Sequence, residues 1–95
     1  MHLISRKALR QFWENHPDSE TALARWFQVM RRTDFRNLAE LRAGLPTADQ
    51  VGDWIVFNIG GNKYRLIASV HFNRGKVYIR HVLTHQEYDR GDWKK

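Results

Sequence analysis

The sequence predicts an α+β domain, with helices first and a small, mainly antiparallel sheet second, the helices packed on one face of that sheet. Three observations carry this expectation. Apolar residues recur at helical spacing through the first half of the chain, β-branched and aromatic residues alternate through the second, and Gly- and Asn-rich corners divide that second half into short runs. The 95 residues read as one domain, 1–95, with chain enough for a single core and none to spare for a second unit.

The elements follow in order. Met1 to Ile4 is short and apolar and reads as a first edge strand, ahead of a helix that starts at Ser5. Ala8, Leu9, Phe12 and Trp13 share one face of that helix, and His16-Pro17 stops it because the residue before a proline avoids helical geometry. Asp18, Ser19 and Glu20 give a cap and an acidic first turn to a second helix. Its Leu23, Trp26, Phe27 and Met30 form an i, i+3, i+4, i+7 stripe, and Arg31-Arg32 close it. A third, shorter helix is expected from Asp34 through Phe35, Leu38 and Leu41 to Gly44, with Pro46 just beyond. Residues 45–53 read as a connector. Strands are then expected at 54–59, 64–72 and 76–83, turned at Gly60-Gly61-Asn62 and Asn73-Arg74-Gly75 into an antiparallel meander.

Charge narrows the partners. Lys and Arg number 16 against 10 Asp and Glu, a net +6 on a small body, which favours polyanions such as RNA or DNA. The absence of cysteine excludes disulfides, thiolate metal sites and a cysteine nucleophile, and fits a reducing cytoplasm. No signal-like core or bilayer-length apolar run is present, so no membrane role is expected. The five histidines show no metal-ligand spacing, and the Gly-Gly corner is a turn rather than a phosphate-cradling loop, so neither a metal nor another cofactor is expected.

The stretch VFNIGGNKYRLIASV, residues 56–70, puts an arginine just past its corner. Alternation gives Tyr64, Leu66, Ala68, Val70 and Phe72 to the core face and leaves Arg65 on an open face, where its guanidinium can meet a phosphate and its removal opens no core cavity. In the third strand, Val77, Ile79, His81 and Leu83 read as the helix-facing set. That arrangement would bring Arg80 to the open face and let two arginines converge. Residues 54–86 hold no Asp or Glu but include Lys63, Arg65, Arg74, Lys76 and Arg80, so the sheet is the candidate binding surface. By pattern alone, Arg65 reads equally as a cross-strand surface residue. Thr84 and Gln86-Glu87 read equally as the start of a terminal helical turn, which leaves open whether His85 and Tyr88 are structural.

Taken together, FNIGGNKYRLI and YIRHVLTHQEYD, with the MHLIS start, NLAEL and TADQV, resemble the HigB toxins of bacterial toxin-antitoxin modules over nearly the whole chain. The resemblance implies a RelE-like fold and a cytoplasmic endoribonuclease that cleaves messenger RNA, generally on the ribosome. It also implies silencing by a cognate HigA-type helix-turn-helix antitoxin. It makes Arg65 the phosphate clamp, His85 a proton donor or acceptor, and Tyr88 a hydroxyl or stacking partner, with Asn58, Asn62, Lys63, Lys76 and Arg80 contributing to RNA binding. Many RelE-like toxins carry lysines on the first strand of this hairpin; WIVFNIG offers only Asn58, so no lysine base is implied there. The competing classes are a non-catalytic nucleic-acid-binding module, which should show an exposed aromatic pair or a recognition helix, and an adaptor docking an acidic protein.

Overall fold

Two amphipathic helices cross one face of a five-stranded sheet because their apolar stripes and the inward residues of the strands have the same place to go. The computed structural model describes residues 1–94. Strand β1 (His2–Ile4) is followed by helix α1 (Arg6–Asn15), a 3₁₀ turn at Pro17–Ser19, and helices α2 (Glu20–Arg32) and α3 (Leu38–Gly44). Strands β2 (Asp49–Val51), β3 (Trp54–Ile59), β4 (Tyr64–His71) and β5 (Lys76–Thr84) come next, then helix α4 (His85–Arg90) and a 3₁₀ turn at Asp92–Lys94. The spatial order is β1-β5-β4-β3-β2. All neighbours are antiparallel except β1, which runs parallel to β5 and makes the sheet mixed. The helix-side core gathers Leu9, Leu23, Trp26, Met30 and Leu41 against Phe57, Ile59, Leu66, Ala68 and Val77. The Met1 ammonium donates to the carbonyls of Met30, Arg31 and Thr33, which fastens β1 to the free carbonyls at the end of α2.

Three expectations are corrected. The 45–53 segment is not wholly connector: Asp49–Val51 pairs with Trp54–Val56 across a tight turn at Gly52, whose φ of 62° suits glycine. A three-residue strand carries too little alternation to register as one. The third helix starts at Leu38 rather than Asp34, because Asn37 caps it by accepting the Glu40 N–H, while the Glu40 carboxylate accepts the N–H of Arg36. The third correction bears on the site. Ile67 pairs with His81 but Ala68 with Ile79, so Arg80 is the extra residue of a β-bulge. The bulge flips the alternation of β5: Val77 and Ile79 pack on the helix side, and beyond Arg80 it is Val82 that does so, while Leu83 joins the other face.

That other face is not open either. The chain after β5 folds back over it, and Trp93 closes a second small core with Val56 and Ile67, to which Val51, Trp54, Leu83 and Tyr88 add.

The turn after α1 is tied to the hairpin by one carboxylate. The Tyr64 hydroxyl donates to Asp18 Oδ1 at 2.6 Å and Lys63 Nζ lies 3.1 Å from Oδ2. These donors, Tyr64 first, hold the Asp18 carboxyl below its usual value of 3.8, and the same bond holds the Tyr64 phenol above its usual 10.0. A depressed carboxylate adds stability that is present above its unfolded value and lost as pH falls through the folded one. A raised phenol adds stability that is lost only as pH rises through its folded value. The link is therefore intact from about pH 4 to about pH 10. We expect the denaturation midpoint to fall as pH drops below about 4, and Asp18→Asn to start lower at neutral pH and fall less on that acid limb.

Candidate active site

The corner between β3 and β4 sets the geometry. Gly60 and Gly61 adopt φ of 61° and 69°, which returns the chain so that Asn62 lies beside the first turn of β4. Both oxygens of Asn62 then accept from Arg65, the carbonyl from Nη1 at 3.2 Å and Oδ1 from Nη2 at 2.9 Å, and the Tyr64 carbonyl accepts from Nη1 at 3.1 Å. A guanidinium has five N–H donors. These bonds leave the Nε–H and one Nη2–H uncommitted.

Arg65 is only 8% exposed, which corrects the expectation of an open-face residue. It forms no ion pair with a carboxylate among the described residues. Neutral oxygens offset part of the cost of burying a charge but do not cancel it, and a buried cation without a counter-ion favours an incoming anion. At an effective dielectric near 20 an anion about 4 Å away is worth roughly 4 kcal/mol before desolvation.

The segment after β5 covers this arginine. Thr84 and Glu87 form a capping box that starts α4, and Gly91, with φ of 77°, ends it. Trp93 then turns back, stacks on Tyr88 at 5.1 Å and donates its indole N–H to the Tyr88 carbonyl at 3.0 Å. The Tyr88 ring so held meets the Arg65 guanidinium at 5.4 Å, a cation–π contact. At the other end of α4, the His85 N–H donates to the Lys63 carbonyl, next along the corner from the carbonyl that holds Arg65. His85 Nδ1 lies 2.9 Å from Asp89 Oδ2, which orients the ring and leaves Nε2 for another partner.

The other candidates are dispersed. Asn58 is the register partner of Arg65 and shares its face. Arg80 does not converge on Arg65: it stands three residues along β5 from Leu83, the partner of Arg65, or about 10 Å away, with its Nε donating to Ser69 Oγ at 3.2 Å and its guanidinium over Tyr78. Lys63 turns away to Asp18. Lys76 stands at the far end of β5, where it pairs with His71 and His2, roughly 23 Å away along the strand. Sequence reasoning missed Asp89 and Trp93. The first had a signal, since His85 and Asp89 stand at i, i+4 on a helix; the second had none, because a lone tryptophan past a terminal glycine shows no periodicity. Among the described residues no three His, Cys, Asp or Glu side chains come together as a metal site.

Comparison with known proteins shows the family. Residues 19–91 match the family model for the HigB toxin, described as a RelE-like toxic component of a toxin-antitoxin system. The chain is 39% identical over 92 residues to the mRNA interferase toxin HigB of Escherichia coli K12, a match covering 94% of this chain and 88% of that protein. It is 31% identical to the mRNA interferase HigB of Escherichia coli O6:H1, over 95% of this chain and 90% of that one.

Asn62→Ala removes the Oδ1 acceptor from a buried charge and leaves one more guanidinium N–H unsatisfied. We expect a loss of about 1 to 3 kcal/mol in denaturant unfolding. An unchanged midpoint would mean that water replaces Asn62 at no cost.

Proposed function

The chain belongs to the HigB family of RelE-like toxins, and from that premise we propose that it is an endoribonuclease that cleaves messenger RNA on the ribosome and is silenced by a HigA-type antitoxin. The observation that carries the reading is the buried Arg65 guanidinium, held on one side by Asn62 and Tyr64 oxygens and paired with no carboxylate among the described residues.

In the proposed reaction the 2′-hydroxyl of one nucleotide attacks the adjacent phosphorus, the P–O5′ bond breaks, and the products carry a 2′,3′-cyclic phosphate and a 5′-hydroxyl. Three tasks follow: removing the 2′ proton, stabilising the charge that grows on the phosphoryl oxygens, and protonating the leaving oxygen. Arg65 takes the second. Its uncommitted Nε–H and Nη2–H match two phosphate oxygens, and its fixed position spares the reorganisation that a free side chain would need. His85 takes a proton-transfer step through Nε2, with Asp89 fixing the ring by Nδ1. Tyr88 contributes its hydroxyl, since its ring is already engaged by Trp93 and by the guanidinium. Asn58 lines the approach beside Arg65. Arg80 and Lys76, and Lys63 when released from Asp18, extend a positive field for the flanking phosphates.

The reading is tested by adding the purified protein to translating ribosomes and sequencing the cut message: 2′,3′-cyclic phosphate ends support it, and intact message at high protein concentration contradicts it. Arg65→Ala should lower the cleavage rate on the order of 10² to 10³. Because the side chain is buried, that variant also loses stability, so Arg65→Lys is the sharper probe. It keeps the charge, loses the planar fork, and should show an intermediate defect. His85→Gln and Tyr88→Phe should each slow cleavage with an unchanged unfolding midpoint; normal rates in both would assign α4 a structural role only.

A further inference from the structure

We propose that the groove between α2 and the uncovered end of β3 is the docking site for an acidic, apolar segment of the antitoxin. The inference rests on the toxin-antitoxin reading but on no step of the cleavage chemistry.

The groove has a volume of about 560 Å³, is walled by Ala22, Arg25, Trp26, Val29, Leu45 and Ile59, and ends at Gly60 and Gly61 of the hairpin corner. Two of its features are unfinished. Among the described residues Trp26, 3% exposed, offers a buried Nε1–H that finds no acceptor, although buried indole donors ordinarily have one. The ladder between β2 and β3 stops at the Asp49–Val56 pair, so residues 57–59 have no strand among the described residues on their outer side. A segment lying here would extend the open edge at residues 57–59 and cover apolar walls that the fold leaves partly bare.

Charge selects the occupant. Arg25 is exposed at the rim and makes no ion pair among the described residues, whereas the Asp18 carboxylate at the groove is already taken by Lys63 and Tyr64. A carboxylate on the incoming segment therefore gains a cation and meets no free anion. RNA fits poorly: Ala22, Trp26, Val29, Leu45 and Ile59 make much of the wall apolar, and a phosphate backbone would find one cation, Arg25, among the described lining residues, with the Asp18 carboxylate beside it. A second copy of this chain would bring its own net charge of +6 to Arg25.

The position has a consequence for inhibition. Gly60 and Gly61 face the groove while Asn62, the next residue, holds Arg65. An antitoxin seated in the groove bears on the corner and on Asn58, the register partner of Arg65, so neutralisation does not require it to cover Arg65 itself.

The test uses the purified antitoxin encoded beside this chain, with calorimetry for affinity and growth arrest for toxicity. Arg25→Glu should weaken antitoxin binding at least about tenfold and Arg25→Gln by less, while both variants alone arrest growth as the parent does. The Trp26 indole N–H resonance, identified by its loss in Trp26→Phe, should move when antitoxin binds, because the side chain lines the groove. Unchanged affinity in Arg25→Glu overturns the proposal, and so does a Trp26 resonance that stays in place. If Arg25→Glu loses RNA binding and keeps its antitoxin affinity, the groove is an RNA surface instead. Binding is read without cleavage, so failure of the nuclease reading leaves these outcomes distinct.

Discussion

The bond between Asn62 and Arg65 is the constraint on which the rest of the site depends. A guanidinium at this depth requires oxygens around it, and the Gly60-Gly61 corner supplies them by returning the chain over the start of β4. Without those two left-handed positions Asn62 would not reach its neighbour three residues on. The arrangement satisfies one side of the fork and leaves the other, which is how a fold holds a cation ready for an anion without neutralising it. That no carboxylate among the described residues pairs with Arg65 matters as much as the bonds that are present, because a paired arginine has less field left for an anion.

The described residues beyond β5 pack around the same arginine. The capping box at Thr84 starts α4 where β5 ends, Gly91 turns the chain, and Trp93 packs back to hold Tyr88 over the guanidinium. The sheet contributes its own part through the bulge at Arg80, which sends Leu83 to the face that Arg65 shares and gives Val82 to the core. A regular strand continued from the Val77–Ile79 register would have put Leu83 among the helices and set Val82 across from the arginine. The hairpin corner thus touches both features, Asn62 bonding Arg65 and Gly60 and Gly61 lining the groove along α2.

Much of this was legible in the sequence, and the parts that were not have identifiable causes. The helix stripes, the edge strand at Met1–Ile4 and the boundaries of β3 followed from periodicity and turn chemistry, both of which are local. Arg65 was found by its place beside the corner, and its functional weight came from the family resemblance. Its burial was not readable, because what covers it is a helix and a tryptophan more than twenty residues later, and alternation reports which face a residue takes, not what packs on that face. The bulge was invisible for a related reason: VYIRHV alternates acceptably in either register, and only the pairing with β4 decides between them. The same gap explains why Arg80 was expected to converge on Arg65.

The most direct measurement is a structure of the protein bound to an RNA methylated on the 2′-oxygen at the scissile position, so that it binds but cannot react. The account predicts a phosphate whose oxygens lie within about 3 Å of Arg65 Nε and Nη2, with Asn62 still bonded to the opposite side of the fork. A phosphate seated on Arg80 or Lys76, with Arg65 still facing only the Asn62 and Tyr64 oxygens, would contradict it.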